Sequence, residues 1–483
     1  MLLTMLSTTA VAAPWVKPGN ERTRHHLQNL VDFGVSSSLV TSWPLMWNRV
    51  NQELKKIDAS KLPPNALWSY QYLKHEIKQE NRVRHTRQQL YGSNVSKPLR
   101  GFADNNRFQQ EANLSINYTG DQLAFELNTS YVRDSNNEYR NIFDGSHLSY
   151  TKGNWVFGVG AIDRWWGPGW DSSLILSHNA RPAPSLFLQR NLSEPFKTPL
   201  LSWLGPWQLT TFMAQLESDR ATSDARLWGM RVSFRPLQSL ELGLSRTAQW
   251  GGHGRPGGLD TFVELLAGID NYEDEDEKLR REPGNQLAGI DWRWGSHFGD
   301  VSAAFYGQLI GEDEAGGLPS RHIGLAGIEL STLMLGVHTR FSLEGKNTTV
   351  YFYESDKIMY NTAYEHPLYP NGYRHKGLPM GASTDNDSES IAFSSLLYFS
   401  NGHSAKLTLG KYRINIEGKN KSAPAGNIYG GEQANILKTE VSYALPLLDH
   451  LMIEAGAFSY SEALSFEGQV ISSGAFVQFQ TRW

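Results

Sequence analysis

From about Arg107 to Trp483 apolar and polar residues alternate along the chain. Leu123, Phe125, Leu127, Thr129 and Tyr131 are interleaved with Glu126, Asn128 and Ser130, and Trp228, Met230, Val232 and Phe234 with Arg231, Ser233 and Arg235. Ile290, Trp292 and Trp294 flank Asp291 and Arg293, and the run Leu333 to Leu343 brackets His338, Arg340 and Ser342. Successive side chains of a strand point to opposite faces, so each run has one apolar and one polar face. Roughly eighteen such runs follow one another, many long enough for a tilted membrane strand, whereas soluble strands average about 5–6 residues. Tight turns at Thr119-Gly120, Lys152-Gly153-Asn154, Asn401-Gly402 and Pro446-Leu447 contrast with long polar connections. Short turns at one rim and long loops at the other are the outer-membrane arrangement. The chain ends on Ala475, Val477, Phe479, Thr481 and Trp483 at alternate positions, resembling the terminal strand that barrel-assembly machinery reads. The fold class expected is an all-β transmembrane antiparallel barrel of about 18 strands with an N-terminal periplasmic α-helical bundle. Strands near residues 90–105 and 345–390 are left unassigned by the pattern.

Residues 13–92 read differently. Asn20 to Phe33 can form a helix. Thr41 or Ser42 can cap a second, with Pro44 in its first turn and Leu45, Val50, Leu54 and Ile57 on one face. A third is expected after Pro63-Pro64, through Leu67, Tyr70, Leu73 and Ile77 toward Gly92. Lys74, Lys78, Arg82, Arg84, Arg87, Lys97 and Arg100 make the following stretch basic, either as a solvated face or as a binding surface. Ahead of it, Leu2, Leu3, Met5 and Leu6 followed by Ala10-Val11-Ala12 suggest a signal peptide over residues 1–12, its missing basic segment pointing to a start farther upstream. Residues 93–483 would form the barrel.

Composition narrows the chemistry. The 483 residues include no cysteine, which excludes thiolate metal sites and cysteine nucleophiles, and 15 tryptophans. A net charge of −4 gives no reason to expect nucleic acid as a partner. No apolar run reaches the roughly 18 residues a spanning helix needs. G-x-S-x-G, H-E-x-x-H and phosphate-loop signatures are absent, and no cofactor is implied. His25-His26, the one adjacent histidine pair, is indistinguishable from solvated helix residues.

Candidate chemistry therefore lies in the loops. The first, Asp163 to Ser185, holds Asp163, Arg164, Trp165, Trp166 and Trp170 around Gly167-Pro168-Gly169. Its indoles could stack on sugar C–H faces while Asp163 and Arg164 bond hydroxyls; equally, the rings could form a membrane girdle or pack the lumen. The second, Trp250 to Gln286, opens with Gly251-Gly252-His253-Gly254-Arg255-Pro256, with a short helix expected from Asp260 to Gly268. Its carboxylates Asp270, Glu273, Asp274, Glu275, Asp276 and Glu277 fit a solvated loop better than a calcium site, for their spacing matches no EF-hand. The third, Asp356 to Ser390, offers Tyr364, Tyr369, Tyr373 and Arg374 as further sugar ligands, although tyrosine is also common at barrel rims. A fourth, Glu417 to Gly431, says little.

Arg164-Trp165-Trp166-Gly167-Pro168-Gly169 followed by Ser172-Ser173-Leu174-Ile175-Leu176 resembles a motif of the Wzi family of capsule-assembly outer-membrane lectins. So do Ser42-Trp43-Pro44-Leu45, Gly254-Arg255-Pro256 and Gly372-Tyr373-Arg374-His375-Lys376-Gly377. The resemblance runs from about residue 20 onward. It implies an 18-stranded barrel with a periplasmic helical bundle, no catalysis, and capsular polysaccharide as ligand. Outer-membrane lipid, lipopolysaccharide and the capsule export machinery would be further partners. The competing expectation is a carbohydrate porin lined by Arg231, Arg293, His338 and Arg340, separable by single-channel conductance.

Overall fold

The computed structural model describes residues 15–80, 82–267, 284–315, 318–417, 428–429 and 433–483. The expected signal peptide, the acidic run Asp270 to Glu277 and most of the fourth loop lie outside them. Among the described residues an 18-strand antiparallel barrel closes on itself, its first strand Arg84–Ser93 pairing with its last, Gln469–Arg482. Tyr139–Ile142 and His147–Lys152 count as one interrupted stave, because both pair with Leu123–Arg133. The alternation read from the sequence is the wall's two faces. Leu127, Phe157, Leu186, Ile290, Phe305, Ile328, Ile391 and Leu437 are exposed around the outside, an apolar band suited to hydrocarbon. Arg231, Ser233 and Arg235, read as the polar face of their strand, are buried inside.

The expected tight turns lie at one rim and most long connections at the other; the exceptions are the connection over residues 191–206 on the tight-turn rim and the Phe466–Gln469 reversal on the loop rim. One expected turn shifts: Pro446 and Leu447 belong to strand Ala434–Leu448, where the register slips, and the chain reverses at Asp449-His450. Between residues 347 and 389 the wall gains no further strand, only a two-residue ladder of Arg374–His375 with Leu378–Pro379. The missing strand is Arg84–Ser93. The helix expected to reach Gly92 stops at Glu80, so the wall begins inside the stretch read as helical.

The helices pack together around Leu27, Leu30, Val50, Leu54, Leu73 and Ile77 as the expected bundle, and the bundle is docked into the barrel. Helix α1 (Glu21–Asp32), capped by the Asn20 side chain on Thr23 N, is buried along nearly its whole length, though most of its residues are polar. Burying a polar helix requires partners for its polar groups. Here Asp32 and His25 meet side chains of the wall, Arg24 meets loop carbonyls, and Thr23, His26 and Asn29 meet Tyr72, Ser69 and Asn65. Helix α2 (Trp47–Leu54) starts later than its Pro44 suggested. Residues 42–46 are instead extended, Trp43 and Ser42 pairing with Trp165 and Trp166, and Leu45 and Met46 with Val16 and Trp15. Helix α3 (Pro64–Glu80) begins at its proline, as expected, and lies at the tight-turn rim. Asn65 Nδ2 there donates to Asp300 O at 3.0 Å, and Glu76 pairs with Arg482 at 3.0 Å. The basic stretch divides: Lys74 and Lys78 are exposed, while Arg87 is paired with Glu80, and Lys97 with Asp104 and Glu440.

Candidate functional site

The tryptophan loop turns inward. Gly167 adopts φ +141°, and a Cβ there would meet the Gln308 side chain at 2.7 Å; one on Gly169 would meet Ser172 O at 2.1 Å. These two glycines let the chain fold tightly about Pro168 and bring three indoles into the lumen. Trp165 and Trp166 are each 1% exposed and Trp170 8%. Trp165 packs edge-on against Phe102 and donates from Nε1 to Gly169 O at 3.2 Å. The Trp166 carbonyl accepts from Ser173 Oγ at 2.6 Å and Gln308 Nε2 at 2.8 Å. Trp170 donates its backbone N–H to Glu344 at 2.7 Å and its Nε1 to Glu329 at 2.8 Å. Of the alternatives left open by the sequence, the rings take lumen packing.

Their neighbours are equally engaged. Arg164 lies over the Phe212 ring at 4.1 Å and donates to Ile162 O at 3.1 Å; burial draws its guanidinium down to about 10. Asp163 faces Arg107, and burial raises its carboxyl above the usual range. The tyrosine loop closes over this layer: Tyr364 OH donates to Leu174 O at 2.6 Å and Ser177 N to Met380 O at 2.7 Å. Tyr373 stacks on Tyr364 at 6.0 Å, and Tyr369 OH donates to Gly251 O at 3.2 Å. Arg374 forms a fork on Asp385, both bonds 2.8 Å, and a third bond to Glu365 at 2.6 Å. Burial alone would lower its pKa, yet those carboxylates hold it above the ordinary arginine value. The structure thus brings the nine sequence candidates into one buried floor; only Asp163, at 30% side-chain exposure, keeps appreciable accessibility.

A second layer joins this floor to the helices; the sequence offered Arg293 and Arg340 of it as porin-lining groups, but not their partners. Arg293 grips Asp32 of α1 through Nη1 at 2.6 Å and Nη2 at 2.8 Å, while its Nε donates to Glu329 at 2.8 Å. Glu329 also pairs with Arg340 and accepts from Trp170. Arg24 of α1 donates to Gly169 O at 2.9 Å with its guanidinium 4.2 Å from the Trp170 ring. Glu241 accepts from Val40 N at 2.9 Å, Thr41 N at 3.0 Å, Thr41 Oγ1 at 2.6 Å and Arg235 at 2.7 Å, pinning the segment before α2. The signal was present as inward-phase charges on single strands, but their partners on the helices and loops, such as Asp32, Thr41 and Trp170, are far away in sequence.

The groups expected to line a porin are consumed here. Arg231 pairs with Asp291 and bonds Ser42 Oγ at 2.6 Å; Arg293 and Arg340 share Glu329; His338 Nδ1 meets His25 Nε2 at 3.3 Å. Space remains on the opposite side of the lumen, a chamber of about 1360 Å³ reaching from the α3 rim to the Arg107–Asp163 pair and Phe108. His25, His26 and His338 hold ring nitrogens within 4.8 Å of one another. Arg340 Nε donates to His25 Nδ1 at 3.0 Å, which puts the His25 proton on Nε2, toward His338. That tautomer, beside the guanidiniums of Arg340 and Arg22, opposes a cation.

Comparison with known proteins adds the family. Residues 79–467 match the profile of the capsule assembly protein Wzi family. An uncharacterized 55.8 kDa protein in the cps region of Klebsiella pneumoniae is 33% identical over 341 residues, 68% of this chain; the match spans 64% of that relative's length. A crystallised Wzi, described as a carbohydrate-binding β-barrel outer-membrane protein involved in group 1 capsule assembly in Escherichia coli, superposes with a TM-score of 0.82. It shares 24% identity, with 97% of this chain and 99% of that one covered, and so the same closed barrel. With its apolar outer band and polar lumen, this outer-membrane barrel belongs to the capsule assembly protein Wzi family.

Proposed function

We propose that the chain is an outer-membrane lectin that holds exported capsular polysaccharide non-covalently on its loop face, helps attach and organise the capsule, and performs no catalysis. The observation that supports this most is the occupation of the lumen on the α1 side: arginines that would select sugars in a porin are 1% exposed and locked to carboxylates, leaving the loop face as the outward working surface. The relatives named above, one carbohydrate-binding and one in a cps region, point the same way. The polymer would meet exposed polar residues over the buried floor, among them Asn136, Asp219, His253, Asn361 and Lys376. Trp165, Trp166, Trp170, Tyr364, Tyr369, Tyr373, Arg164 and Arg374 would act beneath them, fixing the loops, and Asp163 from the chamber side. Weak contacts repeated along a polymer retain it through multivalency. The exposed Lys74 and Lys78 of α3 offer a basic patch to export machinery in the periplasm.

The test is capsule partitioning in cells lacking the chain, together with planar-bilayer conductance of the purified protein. Normal synthesis with more polymer shed, and a nearly silent bilayer, support the lectin. Unchanged attachment with steady channel openings would replace it with the porin.

A further inference from the structure

The outer wall carries a furrow near its long-loop rim. Neighbouring strands there place Val477, Gly92, Gln110, Arg133 and Tyr139 in one row, and Phe479, Leu90, Ala112 and Tyr131 in the next. Gly92 and Ala112 leave a depression between Tyr131 and Tyr139 on one side and Val477 and Phe479 on the other, enclosing about 370 Å³. The flanking side chains are exposed: Leu90 58%, Tyr131 52%, Tyr139 55%, Phe479 39%. Tyr131 and Tyr139 stack face to face at 5.5 Å, making one bank flat and rigid. All these side chains share the outward phase of the wall, so what fills the furrow comes from the membrane.

The rim end of the furrow is cationic. Arg133 lies 6.0 Å from the Tyr139 ring centroid and bonds Asn137 Oδ1. An apolar trough leading to a guanidinium matches an acyl chain attached to a phosphate. This rim borders the long loops, hence the outer leaflet. We propose that the furrow holds one acyl chain of a phosphorylated outer-leaflet glycolipid, with its phosphate on Arg133. The site is independent of any polysaccharide on the loop face.

Gly92→Leu tests it cleanly, because a Cβ at Gly92 meets no atom within 4 Å and its backbone is not left-handed. The readout is native mass spectrometry of the full chain in detergent with diphosphorylated lipid A, its monophosphorylated form, or phosphatidylethanolamine, and heat-modified gel migration verifies folding. The unaltered chain should retain one diphosphorylated lipid A. Gly92→Leu and Ala112→Leu should cut that retention at least tenfold, and Arg133→Gln should erase the preference for two phosphates over one. Equal retention by Gly92→Leu would overturn the proposal. So would equal retention of phosphatidylethanolamine by the unaltered chain, or a dimer that Gly92→Leu abolishes, which would make a second copy the occupant.

Discussion

Replacing Asp32 should undock α1 without opening the barrel. Arg293 and Arg340 carry two positive charges, and Asp32 and Glu329 two negative ones, in a pocket where all four side chains are 1% exposed. At about 4 Å and an effective dielectric near 20, one such pair gains roughly 4 kcal/mol before desolvation. Asp32→Ala strands a buried positive charge, a change that costs about 3–5 kcal/mol. On the docking equilibrium of α1 that is a shift of roughly two to four powers of ten. Hydrogen exchange of Glu21–Asp32 in nanodiscs reads it directly, and heat-modified migration reports the wall separately. The double variant Asp32→Leu with Arg293→Leu removes one charge of each sign and leaves Glu329 to Arg340. It should recover most of the loss, since apolar replacement of a buried pair is often neutral. Unchanged exchange in Asp32→Ala, or a double variant as damaged as the single one, would refute charge balance as what holds the helix.

Three further outcomes follow from the same contacts. Burial pushes His25 and His26 well below the ordinary histidine value of 6.5, with Arg340, Arg22 and His338 adding to it. A detached α1 therefore binds protons that the docked helix refuses; docking should be constant above that value and weaken as pH falls below it, giving faster proteolysis near residue 25 at about pH 5 than at neutrality. Trp165→Ala should cost about 3–5 kcal/mol, lowering the urea midpoint of tryptophan fluorescence while the wall persists; an unmoved midpoint would show that the ring is not packed as described. Glu241→Ala leaves several buried donors without an acceptor, about 1–3 kcal/mol each, and should expose the Gly34 to Met46 segment to protease. Full resistance there would mean that other contacts hold the segment.

The wall was readable because an outward Leu127 and an inward Glu126 answer to different solvents, and that difference is written into adjacent letters. Arg84–Ser93 escaped because its outward positions Arg84, Thr86 and Gln88 are polar, so the alternation fades where the strand nears the rim. Its basic residues then read as a continuation of the helix. Pro44 misled for a related reason: a proline suits the first turn of a helix, but here it sits in a segment committed to pairing with Trp165-Trp166. The tryptophan motif was legible as a motif, while its direction was not. Composition cannot tell a ring facing sugar, lipid or lumen; that depends on Gly167 and Gly169 turning the loop inward. The network of Asp32, Arg293 and Glu329 was invisible as a network, since its members are chosen by proximity in space.

The seam between Arg84–Ser93 and Gln469–Arg482 sets an order of events during biogenesis. Residues 15–46 leave the ribosome before any wall strand, yet they end up inside a ring that shuts only when the last strand arrives. The occupant is made before its container. Capture must be finished by the time the seam zips, which ties the slowest long-range pairing of the chain to the packing of its earliest segment. Lesions in the plug will therefore surface as lost yield of assembled barrel, ahead of any change in how long a finished one survives.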